Sequence, residues 1–230
     1  MDIRLDMRHI RFGAPVLLLA LFASPLAGQR IASPYRYIET RNTVTAFAGY
    51  VAIAEGAFAM APRSAPFFGV RYGRRLTGPL SGDVGFGLSS TDRTGFFRES
   101  QNGPLQPLGE TDLVMMIGEA GLRFTLTGQR TWHGIAPFVV ATVGFVSDLT
   151  SGDTFELQVP ADQLFRFGPG FAVAGGVGSD FFLTETFSLR LDIRDHLWRL
   201  AYPGGISGTG QREDEWTHNF SFTLGGAYHF

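Results

Sequence analysis

From Phe220 to Phe230 apolar residues occupy every second position: Phe220, Phe222, Leu224, Tyr228 and Phe230, with Gly226 in the same row. Ser221, Thr223, Gly225, Ala227 and His229 fill the other row. A period of two places successive side chains on opposite faces of a strand, whereas a helix would scatter them around its axis. The same rhythm recurs upstream. Phe187, Leu189, Leu191 and Ile193 alternate with Ser188, Arg190, Asp192 and Arg194. Phe167, Phe171, Val173, Val177 and Phe181 form the apolar row beside Gly168, Gly170, Ala172, Ala174 and Asp180. Val114, Met116, Ala120, Leu122, Phe124 and Leu126 run beside Glu119, Gly121, Arg123 and Thr125. Leu80, Val84, Phe86 and Leu88 run beside Asp83, Gly85, Gly87 and Ser89, and Phe68, Val70 and Tyr72 beside Gly69, Arg71 and Gly73. Residues 43–51 and 135–147 are strand-like with no clear facing, which brings the expected strands to eight.

The connections alternate in length. Leu76–Pro79 and Leu183–Thr186 are short and Gly128–Gly134 is modest. The stretches 52–65, 90–111, 148–165 and 200–215 are long and rich in Gly, Pro, Ser, Asp and Glu, as loops are. Membrane barrels of the outer-membrane type combine short periplasmic turns with long outer loops. The polar rows separate this reading from a soluble barrel. In water the polar face would point outward and carry many charges; here it is crowded with Gly, Ala and Ser. Small residues suit the inside of a narrow barrel, and Phe, Leu and Val suit lipid. The expected fold is all-β: an eight-stranded antiparallel up-and-down transmembrane β-barrel over residues 43–230. Trp198, Trp216, Tyr50, Tyr72 and Tyr228, near expected strand ends, are candidates for aromatic girdles.

The N-terminus reads as an address. Arg4, Arg8 and Arg11 precede the short apolar run Val16–Ala23, and Pro25, Leu26, Ala27 and Gly28 follow it. That is the layout of a signal peptide over 1–28, and the run is too short to span a bilayer as a helix. Residues 29–42 are then an N-terminal periplasmic segment. The expected location is the cell outer membrane.

With these features the chain resembles the OmpA/OmpX-type superfamily of eight-stranded outer-membrane barrels, over nearly all of the mature sequence. Phe220, Phe222, Leu224, Tyr228 and Phe230 resemble the terminal signal read by the barrel assembly machinery. The stretch Phe167–Trp198 resembles the penultimate hairpin of such barrels. The resemblance implies contact with outer-membrane lipid and lipopolysaccharide, and a monomer. The chain stops at its last expected strand, so no peptidoglycan-binding domain and no cell-wall anchoring are expected.

Composition narrows the chemistry. The net charge is -2, all 19 basic residues are Arg, and Cys is absent. No basic field suggests nucleic acid, and neither disulfides nor thiolate sites are available. The alternation turns Arg71, Asp83, Glu119, Arg123, Arg190, Asp192 and Arg194 into the lumen, with Arg75 and His196 on the same parity nearer strand ends. Opposite charges in a narrow interior are expected to pair and plug it; a gate with exchangeable pairs is the alternative. Arg93 and Arg98, expected in the second long loop, are candidates for contact with lipopolysaccharide phosphates. Asp148, Asp153 and Glu156 are expected to be solvated loop acids, with no metal. His133, His196, His218 and His229 have no Ser at a spacing that makes a pair obligatory, so no catalytic residue and no cofactor are expected. Three functions fit: a structural or surface-interaction barrel, a narrow channel or transporter for small or hydrophobic solutes resembling the OmpW type, and a lipid-modifying enzyme. The first is expected, because eight strands enclose too little space for a wide pore.

Overall fold

The computed structural model describes residues 33–100, 103–150, 159–207 and 214–230; the expected signal peptide lies outside the described residues. Among the described residues the strands are β1 Tyr35–Tyr37, β2 Asn42–Ala52, β3 Ala65–Thr77, β4 Leu80–Phe97, β5 Gln106–Thr125, β6 Arg130–Trp132, β7 Ile135–Asp148, β8 Gly170–Phe182, β9 Phe187–Ala201 and β10 Asp214–His229. A single helical turn, α1 Gly204–Ser207, follows β9. Neighbours in the chain pair antiparallel from β2 to β10, with β6 standing outside the ring. β10 then returns to β2, from Phe220↔Ala52 to His229↔Thr43, and closes an eight-stranded barrel. Closure removes the two sheet edges that an open sheet would leave unpaired.

The outward rows are apolar. On β10, Phe220, Phe222, Leu224 and Tyr228 are exposed, as is Phe230 just after it, and so are Phe187, Leu189 and Leu191 on β9 and Phe68, Val70 and Tyr72 on β3. Between Phe220 and Phe230 the belt spans about ten residues of strand, the length that crosses a hydrocarbon core at a tilt. Soluble monomers rarely expose contiguous apolar patches beyond a few hundred Å², so lipid is the solvent this face requires. The inward rows carry the buried charges, the reverse of a soluble barrel. Tyr50, Tyr72, Tyr228 and Trp216 lie on the outer surface, where girdle residues belong.

The structure departs from the sequence reading at four places. Trp198 is not a girdle residue: it is fully buried. It shares the inward parity of Arg190, Asp192 and Arg194, which outweighs its place near a strand end. Phe167 also turns inward and packs edge-on against Trp198, with ring centroids 6.2 Å apart. Gly168, at φ 73°, breaks the alternation between Phe167 and Phe171. The expected loop 90–111 is mostly strand, since β4 runs to Phe97 and β5 begins at Gln106. At about 3.3 Å per residue these strands reach about 60 Å, roughly twice the hydrocarbon thickness. Their hairpin therefore rises well above the membrane. There the outward row becomes polar, with Ser90, Asp92 and Thr94, while Ser89, Thr91 and Arg93 stay buried. Finally, β6 lies within the expected connection 128–134 and pairs with β1 (Tyr35↔Trp132, Tyr37↔Arg130). Three residues are too short a run to reveal a period.

An arginine in place of Leu224, in the middle of the belt, is expected to destabilise the barrel by about 2–4 kcal/mol, against about 0–1 for Phe230→Arg at its rim. Urea titration of folding into lipid vesicles measures both; equal costs at the two positions would contradict the assigned belt.

Candidate functional site in the barrel interior

The sequence-predicted lumen residues come together in two groups. Nearer the short turns, Asp180 on β8 faces Arg190 directly across the ladder to β9. Arg190 donates to it from Nε at 2.7 Å and from Nη2 at 3.0 Å. Arg123 reaches the same carboxylate at 3.3 Å through Nη1 and Asp83 at 3.3 Å through Nε. One level further in, Arg194 grips Asp192 in the same two-pronged manner, at 2.8 and 2.9 Å. Arg194 also donates to Glu119 at 2.6 Å. Arg71 lies 3.3 Å from Glu119 and 3.6 Å from Asp192. Thr142 donates to the other Glu119 oxygen at 3.0 Å.

Each group thus holds two arginines and two carboxylates and is electrically neutral. Buried charge is tolerated only when paired and hydrogen-bonded, and a two-pronged Arg–carboxylate contact is the strongest form available. Asp180 was not among the sequence-predicted charges. The signal for it was present: it stands on the inward parity of its strand, and the seven chosen residues carry four positive charges against three negative. A narrow interior with one surplus positive charge calls for one more acid.

Rings bound the charged layers on both sides. The Arg71 guanidinium stacks 4.1 Å above the Phe47 ring. Arg123 and Arg190 lie 5.3 and 5.4 Å from the ring of Phe138. Beyond Arg71, toward the long loops, the interior turns apolar: Phe47, Phe67, Met115, Val146 and Trp198 are buried in one cluster. Gly87 makes room for it, since a Cβ there would stand 2.2 Å from Cζ of Phe67. Loops cap this layer. Met60, Phe165, Tyr202 and Ile206 are buried over it, and Phe58 meets Tyr202 edge-on at 4.7 Å. Tyr202 donates to Glu215 at 3.1 Å, and the same carboxylate oxygen accepts the Ala57 amide at 2.8 Å. Burial, together with that carboxylate, pushes the Tyr202 phenol up to about 12. Arg93 is not a loop residue open to phosphates: it is buried, with its guanidinium 5.5 Å from the Phe165 ring. Of the three expected loop acids, Asp148 is the last residue of β7 and accepts from the Thr150 amide at 2.8 Å, and Asp153 and Glu156 lie outside the described residues.

Two Ser–His contacts, which spacing did not reveal, lie inside. His229 meets Ser188 of β9 at 2.7 Å through Nε2 and Thr43 of β2 at 3.0 Å through Nδ1. It spans the strands on either side of β10 and ties the closing seam of the barrel. His196 meets Ser221 at 2.9 Å. Both serines are buried, Ser188 completely, so these contacts bind strand to strand. His218 and Asp195 pair on the outer surface at 2.7 Å. Among the described residues no group of three His, Asp or Glu side chains gathers as a metal site. The short-turn mouth holds a cavity of about 40 Å³ bordered by Arg75, Arg123, Asp180 and His229.

Removing one member of a group strands the others. Asp180→Asn is expected to cost about 3–5 kcal/mol, while the double change Asp180→Leu with Arg190→Met, which leaves Arg123 its partner Asp83, is expected to recover most of it. Equilibrium unfolding of both variants in detergent tests this; a harmless Asp180→Asn would mean the lattice does not hold the interior together.

No protein-family model matches the chain, and no curated protein does. Solved structures do. The outer membrane protein OprG from Pseudomonas aeruginosa superposes with a TM-score of 0.53 at 11% identity, over 86% of this chain and 99% of that one. Neisserial surface protein A superposes with a TM-score of 0.51 at 13% identity, over 82% of this chain and 97% of that one. At such identities the likeness speaks for backbone architecture alone, and it agrees with the strand order and closure: the chain has the fold of the eight-stranded outer-membrane β-barrels.

Proposed function

We propose that the protein resides in the outer membrane as a sealed barrel, a rigid body whose working surface is its long-loop end. One observation carries this reading: the lumen is filled along its length, by two neutral charge groups in the short-turn half and by an apolar cluster under a cap of loops in the other half. Ions would have to strip their water and pass between paired arginines and carboxylates, then cross an apolar layer, and each step opposes conduction. The raised β4–β5 hairpin supports the interaction role. Its base is braced by Arg63, which contacts Asp92 at 2.6 Å and Glu110 at 2.9 Å. The exposed row Phe220, Phe222, Leu224, Tyr228 and Phe230 is the surface offered to the assembly machinery, and lipopolysaccharide and lipid are the neighbours that the belt and its rim would meet.

Planar bilayers containing the refolded protein are expected to show no steady unitary conductance at moderate voltage in molar salt. A stable ohmic step, present in the wild type and altered by Arg194→Ala, would replace this reading with that of a narrow channel.

A further inference from the structure

Between β8 and β9 the ladder stops short of the long-loop end of β9. The β8–β9 ladder ends at Ala172↔Trp198, yet β9 continues to Ala201 in register with β10. Before Ala172 the chain stays with β7, through Phe171↔Phe145, Gly170↔Val146 and the Asp148 amide donating to the Phe167 carbonyl at 3.3 Å, and parts from β9. The space left between the two strands is a cleft of about 400 Å³ that opens on the outer surface. Phe171 and Trp216 supply exposed apolar lining, with Phe165, Phe167 and Leu200 buried behind them, and Arg166 and Arg199 supply charge. Trp216 precedes His218 and Phe220 on the outward row of β10, so the cleft lies just above the last belt residue, where hydrocarbon gives way to water.

We propose that this cleft binds a single-chain amphiphile with an anionic head, of the kind represented by a long-chain fatty acid. Its chain would lie against Phe171 and Trp216 and its head against the two guanidiniums. Three features select that chemistry. The volume sits at the low end of small-ligand sites, which suits one acyl chain and not a two-chain lipid. The cations stand beside the apolar surface, the order in which a carboxylate and its chain present themselves at an interface. Arginine, moreover, binds oxyanions through paired N–H groups. Arg199 already contacts Asp214 at 3.1 Å, and both side chains are about half exposed. An exposed pair of this kind is weak, so an incoming carboxylate can take the place of Asp214. The site is separate from the sealed lumen, because Trp198 and Leu200 close the interior behind it.

The test uses the refolded protein in phosphatidylcholine vesicles, carrying Trp132→Phe so that Trp216 is the exposed tryptophan reporter. Dibromostearic acid and its methyl ester, which share one chain, are titrated as quenchers at about pH 9, where the acid is ionised even at a membrane surface. The acid is expected to reach half-quenching at about tenfold lower concentration than the ester. In the Arg166→Gln, Arg199→Gln double variant the two are expected to coincide. Ala201→Phe, which narrows the cleft and keeps both arginines, is expected to abolish the difference too, with retained folding checked by heat-dependent gel mobility. Equal quenching by acid and ester in the starting protein would overturn the proposal. So would an advantage of the acid that survives both variants.

Discussion

A ring of eight strands encloses room for side chains and little else, so an inward-facing charge has to find its counter-charge on another strand or on the next inward position of its own. Much of the interior follows from that. Arg190 meets Asp180 because the β8–β9 register sets them opposite each other. Arg194 meets Asp192 because residues two apart share a face. Glu119 and Arg123 on β5, with Asp83 on β4 and Arg71 on β3, then reach across the lumen to complete two neutral groups. Register and charge pattern are therefore coupled. A slip of one residue in any of these strands would turn its ionic groups into lipid and strand their partners, a penalty far larger than any single pair contributes. The lattice adds little net stability over an apolar filling, but it leaves only one register acceptable.

The other half of the lumen is filled differently, and the division has a physical source. Toward the long loops, the inward positions of β2, β3, β5 and β7 carry Phe47, Val51, Phe67, Met115 and Val146. The strands there are apolar inside as well as outside. Arg71 lying on Phe47 joins the two halves, presenting its cationic face to the ring and its N–H edge to Glu119. Apolar residues at that end also give the loops something to cover: Met60, Phe165 and Ile206 pack downward onto them, so the cap folds as an extension of the interior.

These two fillings explain what the sequence made legible. Where a strand is charged inside and apolar outside, as in β9 and the lower part of β5, the period of two shows both strand and facing, and seven of the eight lattice residues follow from it. Where both faces are apolar, as in β2 and β7, the strand is visible and its facing is not, which is why the inner aromatic cluster escaped notice. Above the membrane the outer row turns polar while small polar residues stay inside, so Ser89 to Phe97 carries the composition of a loop with the geometry of a strand. The Ser–His contacts depend on pairing between strands distant in the chain, and no local spacing encodes them.

The break between β8 and β9 fits the same logic. Unpaired backbone groups are costly in hydrocarbon and cheap where water reaches them, so a wall of this kind can part only at its rim. It parts just above the belt, after the ladder's last pair at Ala172↔Trp198. The residues behind the opening are Trp198 and Leu200, both buried. The charged layers begin deeper, at Arg194, with His196 and its partner Ser221 between them and Trp198. An opening beside the lattice would have hydrated one arginine–carboxylate group from the side and loosened the pairing that fixes the register. Set against apolar side chains, it leaves the lattice dry on that side and exposes instead an aromatic surface flanked by Arg166 and Arg199. The position of the gap is thus dictated by the interior it must not disturb, and the chemistry of the cleft is a consequence of that position.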